Sequence, residues 1–279
     1  MRKLISKTMV IPQWQGGGQD LCTYYGAFAL KENYLGDEQS VTVEVSTDDI
    51  GPVKNGIMGY DDILASVRSV NKVLEEQEPD KIFVLGGGCD ADTPCAAYLN
   101  KKYGGNMVVV YIDSHGDLNT PESSPSKLYY GMSLRALTGD CAPEYIDQLA
   151  QTISPTQLVT CAGRNLDPEE IRFKEDNNVM DFTVQEIEDN PESIAAQIKD
   201  KGYRHAYIHI DLDCLDPEEF CLMPLYEPNG LKCETLLKLV HEIRRRLDVV
   251  GLGILEYSGG KNDKNNHLIK ELVKIGKKL

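Results

Sequence analysis

Short apolar runs alternate along this chain with longer segments of helical periodicity. Several of these runs are apolar almost throughout, which is typical of strands in a parallel sheet that helices cover on both faces. The predicted strands are Thr8–Ile11, Lys81–Leu85, Met107–Ile112, Gln157–Ala162, Ala206–Leu212 and Val249–Glu256.

Helical patterns fill the segments between these runs. Asp61–Glu76 carries its apolar residues on one helical face, and Asn190 before Pro191 is typical of an N-cap followed by proline at the first helical position. Cys233–Leu247 and the segment from Leu268 to Ile275 are also predicted helices. The pattern therefore predicts an α/β fold, three-layer αβα with a mostly parallel central sheet, in a single domain over residues 1–279.

Two long polar segments follow predicted strands, namely Asn119–Tyr130 and Asp216–Leu231. Neither has the periodicity of a helix or a strand, so both are predicted loops. Loops at the carboxyl ends of strands are where α/β folds keep residues that recognise substrates.

The net charge of the chain limits the kinds of molecule that it can bind. The 279 residues are 41% hydrophobic and 26% charged, as in an ordinary globular protein, but the formal net charge is −15. Such a charge argues against nucleic acid or an anionic membrane as a partner, and it suits a metal ion or a small cationic substrate. Acidity that serves solubility alone is the alternative.

Cysteine usage and the N-terminus indicate the compartment. The eight cysteines are scattered without a Cys-x-x-Cys pair, which indicates reduced thiols rather than a disulfide framework. The first residues lack the apolar core of a signal peptide, and no stretch approaches the ~18 apolar residues of a membrane span. We therefore expect a cytoplasmic protein.

Two acidic motifs follow the ends of predicted strands. Asp113-Ser114-His115-Gly116-Asp117 comes after Met107–Ile112, and Asp211-Leu212-Asp213 ends a second apolar run. If the backbone stays extended, alternation places the acidic residues and the imidazole of each motif on one side of the chain. A solvated turn would explain one such motif. Four carboxylates at one sheet edge repel each other unless cations lie between them, so the pair predicts a site for two divalent ions.

A third strand end carries the run Gly86-Gly87-Gly88 followed by Cys89. Consecutive glycines let a backbone turn sharply and approach another group closely. Alone, the run could be a helix entry or a phosphate cradle, but it lacks the Lys-Ser/Thr of a P-loop and the spacing of a dinucleotide fingerprint.

Three segments, together with Glu256, resemble the arginase (ureohydrolase) superfamily in order and spacing. They are Gly86-Gly87-Gly88-Cys89, Asp113-Ser114-His115-Gly116-Asp117-Leu118-Asn119-Thr120-Pro121 and Asp211-Leu212-Asp213-Cys214-Leu215-Asp216-Pro217. The resemblance implies an eight-stranded parallel sheet between helical layers, a dimanganese site and hydrolysis of guanidino-type C–N bonds. Two such ions ~3.5–4 Å apart can bridge and acidify a water, which gives hydroxide at neutral pH.

The resemblance also implies a set of metal ligands. Asp113 and Asp211 would bridge the two ions, and Asp117 would complete the first site. His115 and Asp213 would complete the second site. The family carries a histidine in the first site where this chain has Cys89.

Cys89 leaves two alternatives open. A neighbouring metal favours the thiolate, so Cys89 could be a ligand that shifts the preference from Mn²⁺ towards Zn²⁺, Fe²⁺ or Co²⁺. A weakened or empty first site is the other interpretation. His209 lies two residues before Asp211 and shares its face, so support of a metal ligand is one interpretation of this residue and a purely structural role is the other.

Further positions of the resemblance concern the substrate. Asn119 and Ser126 would bind the α-carboxylate of an arginine-like amino acid, Asp167 its α-amino group, and Glu256 the guanidinium. Asn119 and Asp167 each precede a proline-containing turn, so a purely structural role is the alternative. Tyr130 replaces a proton-shuttling histidine of arginases; a phenol is a poor shuttle at pH 7 but can shape the pocket.

Three hypotheses of function follow. The first is a metal-dependent hydrolase of a guanidino, amidino or formimino compound, in which Asp117 passes a proton to the leaving amine. The second is a non-catalytic homologue with a binding or regulatory role, since Cys89 and Tyr130 both depart from the family. Amide hydrolysis is the third, since deacetylases share this architecture. Those enzymes use a single metal and a pair of adjacent histidines, and this sequence has no such pair. The resemblance also implies a homo-oligomer.

Overall fold

One parallel sheet runs through the computed structural model, which describes residues 4–18, 20–260, 262 and 266–279. Its strands are β1 (Ser6–Ile11), β2 (Val41–Thr42), β3 (Lys81–Gly86), β4 (Met107–Ile112), β5 (Leu158–Cys161), β6 (Met180–Phe182), β7 (His205–Asp211) and β8 (Asp248–Leu255). Their order is β2-β1-β3-β8-β7-β4-β5-β6, and every neighbouring pair is parallel.

Helices connect the strands. They are α1 (Cys22–Leu30), α2 (Tyr60–Gln77), α3 (Thr93–Lys102), α4 (Ser133–Leu137), α5 (Pro143–Ile146), α6 (Pro168–Asp176), α7 (Val184–Asp189), α8 (Pro191–Asp200), α9 (Cys233–Arg246) and α10 (His267–Gly276). The Asn190 side chain accepts the Ser193 N–H at 3.0 Å, so the predicted N-cap of α8 is confirmed. None of the described helices combines the length and apolar composition needed to cross a membrane.

Two hydrophobic clusters lie on opposite faces of the sheet. In β4, Val108 and Val110 pack in one cluster, together with residues of α1, α8, α9 and α10. Met107 and Val109 pack in the other, together with residues of α2, α3 and α4. Because both faces are covered, β4 is apolar almost throughout, as the sequence indicated for several strands.

The predicted three-layer α/β fold is confirmed, and the sheet has the eight strands that the resemblance implied. All six predicted strands are present, with ends that differ by no more than two residues. The strands β2 and β6 were not predicted. They contain two and three residues and lie at the sheet edges, so neither is long enough to establish a hydrophobic pattern.

The glycine run after β3 allows three backbone segments to pack closely together. The Gly88 N–H donates to the Gln13 carbonyl at 2.7 Å, and the Glu256 N–H donates to the Gly87 carbonyl at 2.8 Å. A Cβ atom on Gly87 would lie 1.8 Å from the Gln13 oxygen. None of the three glycines has a positive φ. The run therefore holds the segments after β1, β3 and β8 together, and it brings Cys89 next to Glu256.

We predict that Gly87→Ala destabilises the protein by about 1–3 kcal/mol, because the added methyl group overpacks a site filled by backbone. Urea unfolding followed by circular dichroism measures the change. Gly131→Ala is the matched control, since a Cβ atom there meets nothing within 4 Å. Equal stability of the wild type and Gly87→Ala would contradict the close approach.

Candidate metal centre

The four central strands of the sheet end in the residues that the sequence singled out. Asp113 follows β4, Asp211 is the last residue of β7, and Glu256 follows β8. Cys89 lies just beyond β3. Because β3, β8, β7 and β4 are consecutive and parallel, these residues meet at one edge of the sheet.

Five of the six predicted ligands lie in two adjacent groups; Glu256 joins the first group, and Asp117 belongs to neither. Cys89 Sγ lies 2.7 Å from Asp211 Oδ2 and 3.6 Å from Glu256 Oε1. His115 Nδ1 lies 2.9 Å from Asp213 Oδ2 and 3.5 Å from Asp113 Oδ1. In each group, the three residues offer ligand atoms within 4.8 Å of one another. The clustering that the two motifs predicted is present.

Turns rather than extended strands bring these side chains together. The prediction that the motifs continue as extended backbone, with side chains alternating between its two sides, is therefore wrong beyond Ile112 and Asp211. β4 ends at Ile112, and Asp117 has a φ of 52°. Asp213 lies in a 3₁₀ turn, Leu212–Cys214. An extended chain would move away from the sheet edge, whereas a turn keeps the side chains there.

The turns also supply hydrogen bonds to the carboxylates. The His115 N–H donates to Asp113 Oδ1 at 2.7 Å, and the Asp213 N–H donates to Asp211 Oδ1 at 2.8 Å. The Ser114 N–H donates to Asp213 Oδ1 at 3.1 Å. Each carboxylate thus has one oxygen held by backbone while the other faces the cluster.

Asp117 is held by side chains that sequence reasoning did not identify. The Tyr111 hydroxyl donates to Asp117 Oδ2 at 2.5 Å, and the Ser133 hydroxyl lies 3.4 Å from the same oxygen. Asp117 Oδ1 is buried without a partner among the described residues. The available signal was a hydroxyl in the otherwise apolar strand β4.

Burial and mutual repulsion oppose ionisation in this cluster. Burial, together with neighbouring carboxylates, raises the pKa of Asp113, Asp117 and Asp211. Burial and the charge of Asp211 also raise the pKa of the Cys89 thiol. Asp213 differs: burial raises its pKa, but the hydrogen bond and charge of His115, together with the hydrogen bonds from Ser114, outweigh burial and hold the pKa below the usual value.

These groups fit a divalent cation. Asp113 Oδ2 and Asp117 Oδ1 are buried acceptors for which the described part of the chain provides no donor. A positive charge between them would stabilise the ionised carboxylates and the thiolate. Carboxylate, imidazole and thiolate are together an ordinary donor set for a first-row divalent ion.

A cavity of about 220 Å³ opens beside the cluster. Glu256 reaches this cavity and is only 7% exposed. Burial and the charges of Asp213 and Asp90 raise the pKa of Glu256 to about 8. Tyr130 and Leu225 also line the cavity, so Tyr130 lies where it can shape a pocket for a small molecule.

Of the remaining predicted substrate residues, two come together and one does not. Asn119 Nδ2 donates to Asp167 Oδ2 at 2.8 Å, and both residues line a second depression. The exposed Ser126 instead accepts the Leu128 N–H at 3.2 Å. Ser123, which the sequence did not single out, donates to Asn119 Oδ1 at 2.9 Å. Asp167 is also the N-cap residue of α6, so the turn role considered from sequence is present.

Arg164 fastens the two loops that border His115. Its guanidinium donates to six backbone carbonyl groups, those of Ala162, Asp213, Cys214, Leu215, Glu227 and Pro228. Next to it, the Asn165 amide donates to Glu227 Oε1 at 2.8 Å, and Glu227 Oε1 lies 3.7 Å from His115 Nε2. The position of the His115 ring therefore depends on loop backbone that Arg164 holds.

The three-layer fold and the buried carboxylate cluster define the class of the protein as an α/β protein with a candidate metal centre at the carboxyl ends of its strands. A family model described as the Arginase family matches residues 23–273, and the chain belongs to this family. The superfamily predicted from the sequence motifs is thereby confirmed.

Individual proteins agree with this assignment. The arginase of Staphylococcus aureus (strain MRSA252) is 29% identical over 259 residues, which cover 88% of this chain and 84% of that protein. The crystal structure of Entamoeba histolytica arginase in complex with L-ornithine superposes with a TM-score of 0.85 at 20% identity, over 99% of this chain and 98% of the other. The formimidoylglutamase of Bacillus subtilis subsp. subtilis superposes with a TM-score of 0.72 at 17% identity, over 100% and 88%.

We predict opposite effects of Asp211→Asn with and without metal. In chelator, the variant should unfold at the same or a higher temperature than the wild type, because it removes one of several buried acidic groups that repel each other. With Mn²⁺ or Zn²⁺ at 100 times the dissociation constant, the wild type should gain about 2.7 kcal/mol and the variant far less.

Differential scanning calorimetry of both proteins, with and without the ion, measures these effects. Asp200→Asn, an exposed position at the end of α8, is the control and should behave as the wild type. Equal metal-dependent stabilisation of Asp211→Asn and the wild type would exclude Asp211 as a ligand.

Proposed function

We propose that this protein hydrolyses a C–N bond of a guanidino, amidino or formimino compound with two divalent ions. The observation that carries the proposal is the position of Glu256, which contacts the carboxylate and thiol cluster on one side and reaches the small cavity on the other. A planar cation in that cavity would meet the Glu256 carboxylate, beyond which the proposed metal ligands lie.

The ligands of the proposal are the residues that the sequence motifs suggested. Asp113 and Asp211 would be shared by both ions, Cys89 and Asp117 would hold the first ion, and His115 and Asp213 the second. When bound, the ions would supply an activated water and compensate negative charge that develops on the substrate. Their positive charge would also favour the ionised forms of all these acidic groups.

We propose Mn²⁺ as the ion of the second site, where oxygen and imidazole ligands predominate. The sulfur of Cys89 makes Zn²⁺, Fe²⁺ or Co²⁺ credible at the first site, since softer ligands favour these ions. Metal analysis of the purified protein after reconstitution with each ion distinguishes them.

Glu256 would bind the substrate cation. A guanidinium or amidinium offers parallel N–H donors that match a carboxylate, and a charge-assisted pair is strong in a buried site. Alone, Glu256 has its pKa raised by burial and by neighbouring acids. An incoming cation favours its ionised form, so binding and ionisation would reinforce each other.

Asp117 would pass a proton to the leaving amine. Its Oδ2 is held by Tyr111, whereas its Oδ1 is free of hydrogen bonds from the described residues. Tyr130 would not carry protons, because burial and the neighbouring Cys89 raise the pKa of a phenol that is already too weakly acidic at neutral pH. We assign Tyr130 to pocket shape and hydrogen bonding.

Within this reaction class, we propose an arginine-like amino acid as the substrate. The pairing of Asn119 with Asp167 provides polar groups for an α-carboxylate and an α-amino group. The Entamoeba arginase binds L-ornithine, an amino acid of this kind. The likeness to a formimidoylglutamase keeps formimino compounds in the panel of substrates to be tested. Ser126 stays a proposed substrate residue on the strength of the motif alone.

Two further proposals concern the cellular location and the oligomeric state of the protein. All eight cysteines are free, which is compatible with the proposed cytoplasmic location. The proposed homo-oligomer rests on resemblance to the family, and light scattering after size-exclusion chromatography tests it.

A binding or regulatory role without catalysis is the second candidate. The contact that favours it is the one between the Cys89 thiol and Asp211, which can satisfy both groups without an ion at the first site. Fewer than two tightly held ions per chain, together with no turnover of any substrate, would support this role.

We predict turnover of at least one member of a guanidino, amidino and formimino panel by metal-reconstituted protein. Glu256→Gln should lower kcat/KM about 10- to 100-fold, the loss expected for a hydrogen bond to a charged group. Release of urea or ammonia measures the rate. Glu234→Gln, at an exposed position of α9, is the control and should retain full activity. Absence of turnover with every ion would refute the proposed function.

We predict that Asp167→Asn raises KM about 10-fold for substrates that carry an α-amino group. Asparagine keeps the N-cap of α6 but removes the negative charge that would attract the amino group. Steady-state kinetics with L-arginine and with a guanidino compound lacking the amino group form the comparison. An equal increase in KM for both compounds would indicate a structural role for Asp167.

A further inference from the structure

His209 is a buried histidine with only one of its ring nitrogens in use. It lies in β7, two residues before Asp211, and is 1% exposed. Its ring stacks on the Tyr111 ring at 3.8 Å between centroids, with 8° between planes. Nδ1 lies 3.0 Å from Asp92 Oδ1, while Nε2 is buried without a partner in the described part of the chain.

The hydrogen bonds around Asp92 define which nitrogen carries the proton. Asp92 Oδ2 accepts the Tyr207 hydroxyl at 2.9 Å, and Asp92 Oδ1 accepts the Nδ1–H of His209. A neutral imidazole with its proton on Nδ1 presents a lone pair at Nε2.

Two glycines of β8 make room for this arrangement. Gly251 pairs with Tyr207 and Gly253 pairs with His209 across the two strands. A Cβ atom on Gly251 would lie 2.2 Å from the Tyr207 ring, and one on Gly253 would lie 2.3 Å from Asp92 Oδ2. The orientation of the imidazole therefore depends on side chains and spaces contributed by three elements, α3 with its N-cap Asp92, β7 and β8.

His209 lies next to other potential metal ligands. Cys89, Asp113 and His209 each offer one ligand atom within 4.8 Å of the other two. Asp113 Oδ2 and Asp117 Oδ1 are likewise buried without described partners. Neighbouring acceptors on Asp113 and His209 cannot satisfy each other, but a cation between them would satisfy both.

We propose that His209 Nε2 is a direct ligand of the first-site ion, in addition to Cys89, Asp117 and the shared Asp113 and Asp211. The inference rests on the proposed metal site and adds to it an imidazole from the sheet itself. Asp92 is then a positioning residue, because it fixes the tautomer and the plane of the ring. With sulfur, nitrogen and oxygen ligands, this site prefers Zn²⁺, Fe²⁺ or Co²⁺ to Mn²⁺.

Nitrogen-15 NMR of the full chain tests the coordination directly. The sequence has five histidines, so protein labelled with ¹⁵N-histidine gives a small set of ring signals. On saturation with Zn²⁺, the His209 Nε2 signal should change while its Nδ1–H is retained, and His115 should change as well. His205, His241 and His267 should keep their signals. An unchanged His209 signal at saturating Zn²⁺ would overturn the proposal.

Metal stoichiometry provides an independent measurement. His209→Leu should reduce the tightly held Zn²⁺ from two ions to one per chain, whereas His205→Gln on the same strand should leave two. Asp92→Asn keeps the imidazole, and it should weaken first-site binding 10- to 100-fold in isothermal titration calorimetry. Since Asp92→Asn retains His209, it tests the site even if His209→Leu fails to fold. Unchanged affinity in both variants would contradict the proposal.

Failure of this inference differs from failure of the proposed function. Turnover by a protein that binds two ions while the His209 signals stay constant would refute the ligand role and leave the hydrolase intact. Zn²⁺-dependent changes at His209 in a protein that turns over no substrate would refute the hydrolase and support the ligand.

Discussion

The repulsion between buried acidic groups is the constraint on which this site depends. Asp113, Asp117 and Asp211 are each about 1% exposed, and burial raises the pKa of all three. Folding must bring them together although water no longer separates their charges. The fold does so with backbone N–H donors on one oxygen of Asp113 and Asp211. The second oxygen of Asp113 has no partner among the described residues, and that of Asp211 lies 2.7 Å from Cys89 Sγ.

The sheet provides the rigidity that such a site requires. Its four central strands are paired on both sides, so each group in the cluster starts from a fixed backbone position. Sites on strand ends are more rigid than sites on loops alone, and a metal centre needs ligands positioned within a fraction of an ångström. The array of Tyr111, His209 and Asp92 extends this rigidity below the cluster into the core.

Local patterns were sufficient to predict the central strands and the acidic motifs. Met107–Ile112 was predicted with its correct ends, because an apolar run bounded by polar residues is a strong local signal. The turns at Asp117 and Asp213 were not predicted, since they depend on which N–H groups are free to bond a carboxylate. The contact of Asp92 with His209 joins residues far apart in sequence, and the space for it depends on Gly253 in a third segment. No single segment contains that information.

The anchor formed by Arg164 has a consequence for how such enzymes diversify. All six of its partners are peptide carbonyl groups, which every amino acid possesses. The exposed side chains between Asp216 and Pro228 can therefore be exchanged while the loop keeps its attachment, whereas Phe220 and Met223 are buried in the core. Substitutions in this loop alone could change the substrate while the proposed metal ligands stay the same.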